Sequence, residues 1–159
     1  MMSARQYLEM MTKMQASVLR PGIRYPSFED LLLGEGREWT PADLPPDVRP
    51  MKMKECFRNA FVLAESRPDL TYVEGFASCI IPCHHAWTVD QEGRVVDPTW
   101  LPRKGSDWEG RSYFGVPFDL DYLRRVQLET EVFGVFFTSI PTLTRDPAEY
   151  VAPGWRVAA

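Results

Sequence analysis

Near the start of the chain, apolar residues recur at helical spacing. Tyr7, Met11, Met14 and Val18 fall on one face of the stretch from Ser3 to Arg20, and Pro21-Gly22 ends the pattern. We read Met14 and its neighbours as helix core contacts, with a partner-binding stripe as the alternative. A second short helix is predicted from Ser27. Ser27 and Asp30 form a capping-box-like pair there, Leu31, Leu32 and Leu33 supply apolar contact, and Gly34 can end the helix. Residues 40–50, TPADLPPDVRP, hold four prolines and read as extended loop.

Beyond that loop the periods are sharper. Phe57, Ala60, Phe61 and Ala64 mark Glu55 to Ser66 as a buried amphipathic helix, which Arg67-Pro68-Asp69 stops. Leu70 to Ala77 and Ala86 to Asp90 read as strands, and Gln91-Glu92-Gly93 turns the chain into a third, Arg94 to Asp97. Phe118 to Val126 has a helical pattern, and the apolar run Val132 to Phe137 suits a central strand. A helix packed on a largely antiparallel sheet is an α+β arrangement, and residues 1–159 are expected to form a single domain.

With 159 residues and 45% apolar content, the chain can fill one core. No stretch reaches the roughly 18 consecutive apolar residues of a membrane span, and the first residues lack the pattern of a secretory signal. A cytoplasmic protein with no membrane partner is therefore expected. A net charge of -4, with scattered Lys and Arg, argues against nucleic-acid binding. Three cysteines point to free thiols rather than a disulfide framework.

Cys56 lies at the inferred start of the buried helix, where free backbone N–H groups favour a thiolate and could hold an oxyanion. His85 begins one strand of the hairpin and Asp97 ends the next, so both come to the same open end. Asp97 can accept a hydrogen bond from one ring nitrogen of His85 and leave the other aimed at a thiol.

The strings KECFRNAFVLA, YVEGFA and HHAWTVDQEGRVVDPTW, spanning about residues 52–100, resemble the core of the transglutaminase-like, papain-related cysteine enzymes. The resemblance implies a papain-like/transglutaminase-like core, with Cys56 as nucleophile, His85 as general base and acid, and Asp97 as the orienting carboxylate. It implies a substrate that is a peptide, a protein or a small amide; no metal and no cofactor are expected. Members act as peptidases, amidases, deamidases or transglutaminases, and some have lost activity. The sequence departs from the family pattern at Cys56-Phe57-Arg58-Asn59, where small neighbours are usual. That bulk narrows access, and only the backbone N–H of Cys56 can be assigned to an oxyanion hole.

Other readings of the same residues stay open. Cys56 alone fits a small buried hydrophobe, and Asp97 before Pro98 fits an ordinary turn. The His-Ala-Trp pattern selects His85 over His84, which we read as a surface or loop residue. Cys79, Cys83, His84 and His85 form a C-x3-C-H-H cluster, but structural zinc usually takes two separated ligand pairs and no second pair exists. Trp87 and Trp100 are candidate walls of a substrate groove, with core packing the alternative. Asn59 could touch substrate or satisfy a local backbone group. Glu74 could face a cleft or solvent. Hydrolysis is expected over transfer in so short a chain. The alternative to an enzyme is an inactive scaffold of the same fold acting as a binding protein.

Overall fold

The structure, a computed structural model, describes residues 2–15, 21–78, 81–101 and 111–156. Among them are strands β1 (Arg37–Trp39), β2 (Thr71–Ser78), β3 (Cys83–Val89), β4 (Val95–Val96) and β5 (Ser112–Pro117). The helices are α1 (Ala4–Met14), α2 (Phe28–Glu35), α3 (Cys56–Ser66), α4 (Leu120–Thr130) and the single turn α5 (Pro147–Tyr150). The strands form one sheet in the order β1-β5-β2-β3-β4, with every neighbouring pair antiparallel. The fold is mixed α+β, and no helix of the described residues is long and apolar enough to cross a membrane.

Alternation along the strands divides the sheet into two faces. Tyr72, Phe76, Ala86, Phe114 and Val116 point to the helices, where Leu8, Leu31, Phe61, Ala64 and Leu123 complete the main core. Val73, Ala77, Trp87, Val89 and Tyr113 point the other way, to a smaller cluster closed by Trp39, Trp100 and Trp155. Gly75 and Gly115 lie opposite one another on β2 and β5. A Cβ on Gly75 would stand 2.2 Å from Phe114 O, and one on Gly115 would stand 2.9 Å from the Trp87 ring. Both must be glycine for the strands and the indole to fit together.

Several local expectations change. α1 is capped by Ser3, which makes a reciprocal box with Gln6, but it buries Ala4 and Leu8 rather than the methionine face. Met14 is 74% exposed, so it is not a core contact, and Val18 lies outside the described residues. Ser27 does cap α2, yet the helix runs through Gly34 and ends at Gly36, whose N–H donates to Leu32 O at 2.8 Å. Gly34 has a different cause: a Cβ there would come within 2.8 Å of the Tyr25 ring. The proline-rich loop and α3 fall where the sequence puts them. α4 starts after Asp119, whose carboxylate accepts from Asp121 N and Tyr122 N.

The largest correction concerns Val132 to Phe137, which is a turn and not a central strand. Gly134 (φ 103°) and Phe137 (φ 66°) take left-handed backbone, which no strand accommodates. The N–H groups of Val135 and Phe136 are spent on the Glu74 carboxylate, at 2.7 and 2.9 Å. The strand pairing with β2 is instead β5, a segment whose Gly115 and Pro117 disguise it as a turn.

Candidate active site

Cys56 is the first residue of α3 and is 9% exposed. The chain enters the helix through Lys54, which has left-handed backbone (φ 67°). Glu55 stands at the N-cap but gives no side-chain hydrogen bond to the helix; its carboxylate pairs with Lys52 and Arg58. By contrast Ser3, Ser27, Asp119 and Asp146 all cap their helices. The start of α3 therefore keeps its partial positive charge beside the thiol.

β3 and β4 bring His85 to Asp97. Their last register pair is Thr88 with Val96, so Asp97 emerges one step further on, level with Trp87 and near His85 on the same face. His85 Nε2 lies 2.7 Å from Asp97 Oδ2, and since a carboxylate accepts, the ring nitrogen donates. Tyr113 donates its hydroxyl to Oδ2 at 3.2 Å, while Thr99 N and Trp100 N donate to Oδ1 at 2.9 and 3.0 Å. These partners hold a carboxylate that is only 4% exposed. Burial, followed by the Asp97 charge, pushes the Tyr113 phenol well above its ordinary range, which keeps it protonated as a donor.

The second nitrogen of His85 is left free of Asp97, and Cys56 is the other group that acts on the ring. Burial alone would lower the His85 pKa. The hydrogen bond to Asp97, followed by the influence of Cys56 and the Asp97 charge, outweighs it and pushes the imidazole up to about 9. Trp87 stacks 6.1 Å from the His85 ring and Trp100 meets it edge-on at 5.7 Å. Arg111 lies over the Trp100 ring at 5.1 Å. Such a set can hold a thiol, a proton and an orienting carboxylate in line, which is the equipment of nucleophilic acyl chemistry.

No family model matches the chain, and no curated protein or solved structure matches it.

The four substrate-binding candidates fare differently. Trp100 is partly exposed beside His85. Trp87 is fully buried and forms the floor under the imidazole rather than a groove wall. Asn59 is also fully buried, and its amide donates to Lys52 O at 2.7 Å and Thr99 Oγ1 at 2.9 Å; it serves the protein's own backbone and loop. Glu74 faces neither cleft nor solvent. It is 0% exposed and accepts from Tyr72 Oη, Val135 N and Phe136 N while pairing with His84.

His84 is not a surface or loop residue: it sits on β3, paired with Glu74 at 2.9 Å among Phe57, Phe76, Phe136 and Phe137. His84 and His85 point to opposite faces of the sheet, so they cannot share one ion. Cys83 is exposed, and Cys79 lies outside the described residues. Among those residues no group of three His, Cys, Asp or Glu converges as metal ligands do. Cavities of about 340 Å³ beside Arg67 and Arg94, and about 380 Å³ beside Arg37 and Trp155, are lined by none of Cys56, His85 and Asp97. Tyr113 and Thr99 went unmarked in the sequence. The one available signal for Tyr113 was the aromatic pair Tyr113-Phe114, and it was masked by Gly115.

Proposed function

We propose that the protein is a cysteine-dependent enzyme, on a papain-like or transglutaminase-like core, that cleaves or transfers an amide or related acyl group. One observation carries the reading: the His85 imidazole is paired with Asp97 at 2.7 Å while its ring also feels Cys56, the first residue of a helix that lacks a side-chain cap. With His85 pushed up to about 9, the resting state at neutral pH is an imidazolium beside the sulfur.

In the acylation step Cys56 Sγ attacks the carbonyl carbon and an S–C bond forms. The oxyanion is met by the backbone N–H of Cys56. His85 gives its proton to the departing amine as the C–N bond breaks, leaving a thioester. In the second step His85 takes a proton from water or an acceptor amine, the new bond forms at the carbonyl carbon, and the sulfur leaves. Asp97 holds the ring and offsets its positive charge throughout. Water as acceptor makes the protein a peptidase, amidase or deamidase; an amine makes it a transglutaminase. The substrate is a peptide, a protein or a small amide, and no metal or cofactor is invoked.

Alkylation with iodoacetamide at neutral pH tests this reading. Cys83 is exposed and Cys56 is buried, so accessibility alone favours Cys83. Peptide mapping by mass spectrometry is expected to show Cys56 modified first, ahead of Cys79 and Cys83. Labelling that follows exposure, with Cys56 spared, would leave no activated nucleophile and would favour an inactive scaffold.

The pH dependence of kcat/KM is a second check. Turnover needs the His85 proton for the leaving group, so the alkaline limb is expected near pH 9. Asp97→Asn removes a charge that raises the imidazole pKa, and the limb should move to lower pH. A limb that Asp97→Asn leaves in place would dissociate Asp97 from the chemistry.

A further inference from the structure

Asn59 stands one turn after Cys56 on α3, and its carboxamide is fully buried. One N–H of the amide reaches back to Lys52 O at 2.7 Å and the other reaches Thr99 Oγ1 at 2.9 Å. Lys52 belongs to the segment that bends through left-handed Lys54 into the helix. Thr99 belongs to the loop that carries Asp97, and its own N–H donates to Asp97 Oδ1 at 2.9 Å. A parallel tie, Met51 N to Pro98 O at 2.8 Å, joins the same two segments.

The acceptor end of the amide is the telling part. Among the described residues Asn59 Oδ1 is buried without a hydrogen-bond partner, a loss that a leucine of similar shape would avoid. A side chain kept for packing would not need to be an amide. Its two donated bonds are what the position uses.

We propose that Asn59 is a positioning residue that locks the nucleophile helix to the Asp97 loop, so that Cys56 and the His85–Asp97 pair keep one register. The role rests on the reading of those three residues as the catalytic set. Misplacing a reacting group by about 1 Å can cost about 100-fold in rate, and the thiol and the carboxylate here come from segments 41 positions apart (56 and 97). The residue acts through backbone and loop and touches no reacting atom.

The test follows His85 rather than stability alone. Thr99→Val and Asn59→Leu each remove the link while keeping shape, and Thr99→Ser retains the acceptor hydroxyl. In Thr99→Val and Asn59→Leu, the NMR titration midpoint of His85 is expected to fall from about 9 toward the ordinary 6.5. Alkylation of Cys56 by iodoacetamide should slow by about 10-fold or more. Thr99→Ser should behave as the unsubstituted protein. If Asn59→Leu fails to fold, Thr99→Val decides the matter. Variants that melt earlier but keep the His85 midpoint and the alkylation rate would overturn the proposal, reducing Asn59 to core filling. A Cys56 that iodoacetamide ignores in the unsubstituted protein, with a His85 midpoint that still shifts in the variants, would remove the enzyme and leave the lock standing.

Discussion

Cys56→Ala is expected to eliminate turnover of an amide or thioester substrate, by at least about 1,000-fold, while costing only about 1 kcal/mol of stability. The substitution removes one sulfur from the start of a helix and leaves the packing of Ala60, Phe61 and Ala64 untouched. His85→Ala should lose activity nearly as completely, because leaving-group protonation and activation of the second nucleophile both depend on the ring. Asp97→Asn should be slower by about 100- to 10,000-fold yet measurable, since it keeps a partner for the imidazole but not the charge. On the proposed mechanism the three groups act as a unit, so the Cys56→Ala, His85→Ala double variant should be barely worse than either single one. Rate constants for each variant, set beside its unfolding midpoint, check this. Losses that add in the double variant would separate the two residues mechanistically.

The His85 pairing also has a stability signature. A histidine whose pKa folding has raised stabilises the fold fully below its unfolded value and loses that contribution as pH rises through the folded one. For His85 that window runs from 6.5 to about 9. The stability advantage of the protein over His85→Ala should therefore shrink across that interval.

The largest effect on stability is expected at Glu74. Removing its carboxylate strands the hydroxyl of Tyr72 and the N–H groups of Val135 and Phe136, and leaves His84 without its acceptor. Breaking a buried, hydrogen-bonded charge from one side costs about 3–5 kcal/mol, so Glu74→Leu should unfold at markedly lower denaturant. Glu74→Gln should fall between the two, because one carbonyl oxygen survives while the new NH2 faces donors. The loop it anchors packs against α3: a Cβ on Gly134 would lie 3.2 Å from the Phe57 ring. Turnover should drop with stability in Glu74→Leu. Equilibrium denaturation decides the matter, and a loss within about 1 kcal/mol would show that the four contacts are dispensable.

Much of the site was legible in the chain because its parts are local. A helix that begins at Cys56 follows from the proline-rich loop before it and the apolar period after it. The hairpin that carries His85 and Asp97 follows from the Gln91-Glu92-Gly93 turn, where Gly93 takes a φ of 79° and Asp90 Oδ1 accepts from Glu92 N and Arg94 N. Strand alternation then separates His84 from His85. Each of these features depends on neighbours within a few residues.

What the chain left undecided depends on groups far apart in sequence. Val132 to Phe137 is apolar enough for a central strand, but its backbone donors are taken by a carboxylate 61 and 62 positions away, and that contact has no signature in a local period. β5 was hidden for the converse reason. Gly115 reads as a turn residue, whereas tertiary structure needs it because Trp87 and the Glu74 carbonyl occupy the space of a Cβ. Asn59 and Glu74 are polar residues that sequence alone assigns equally well to substrate, solvent or the interior. Their burial is decided by which segments close over them, and once water is excluded their hydrogen bonds must be made within the protein.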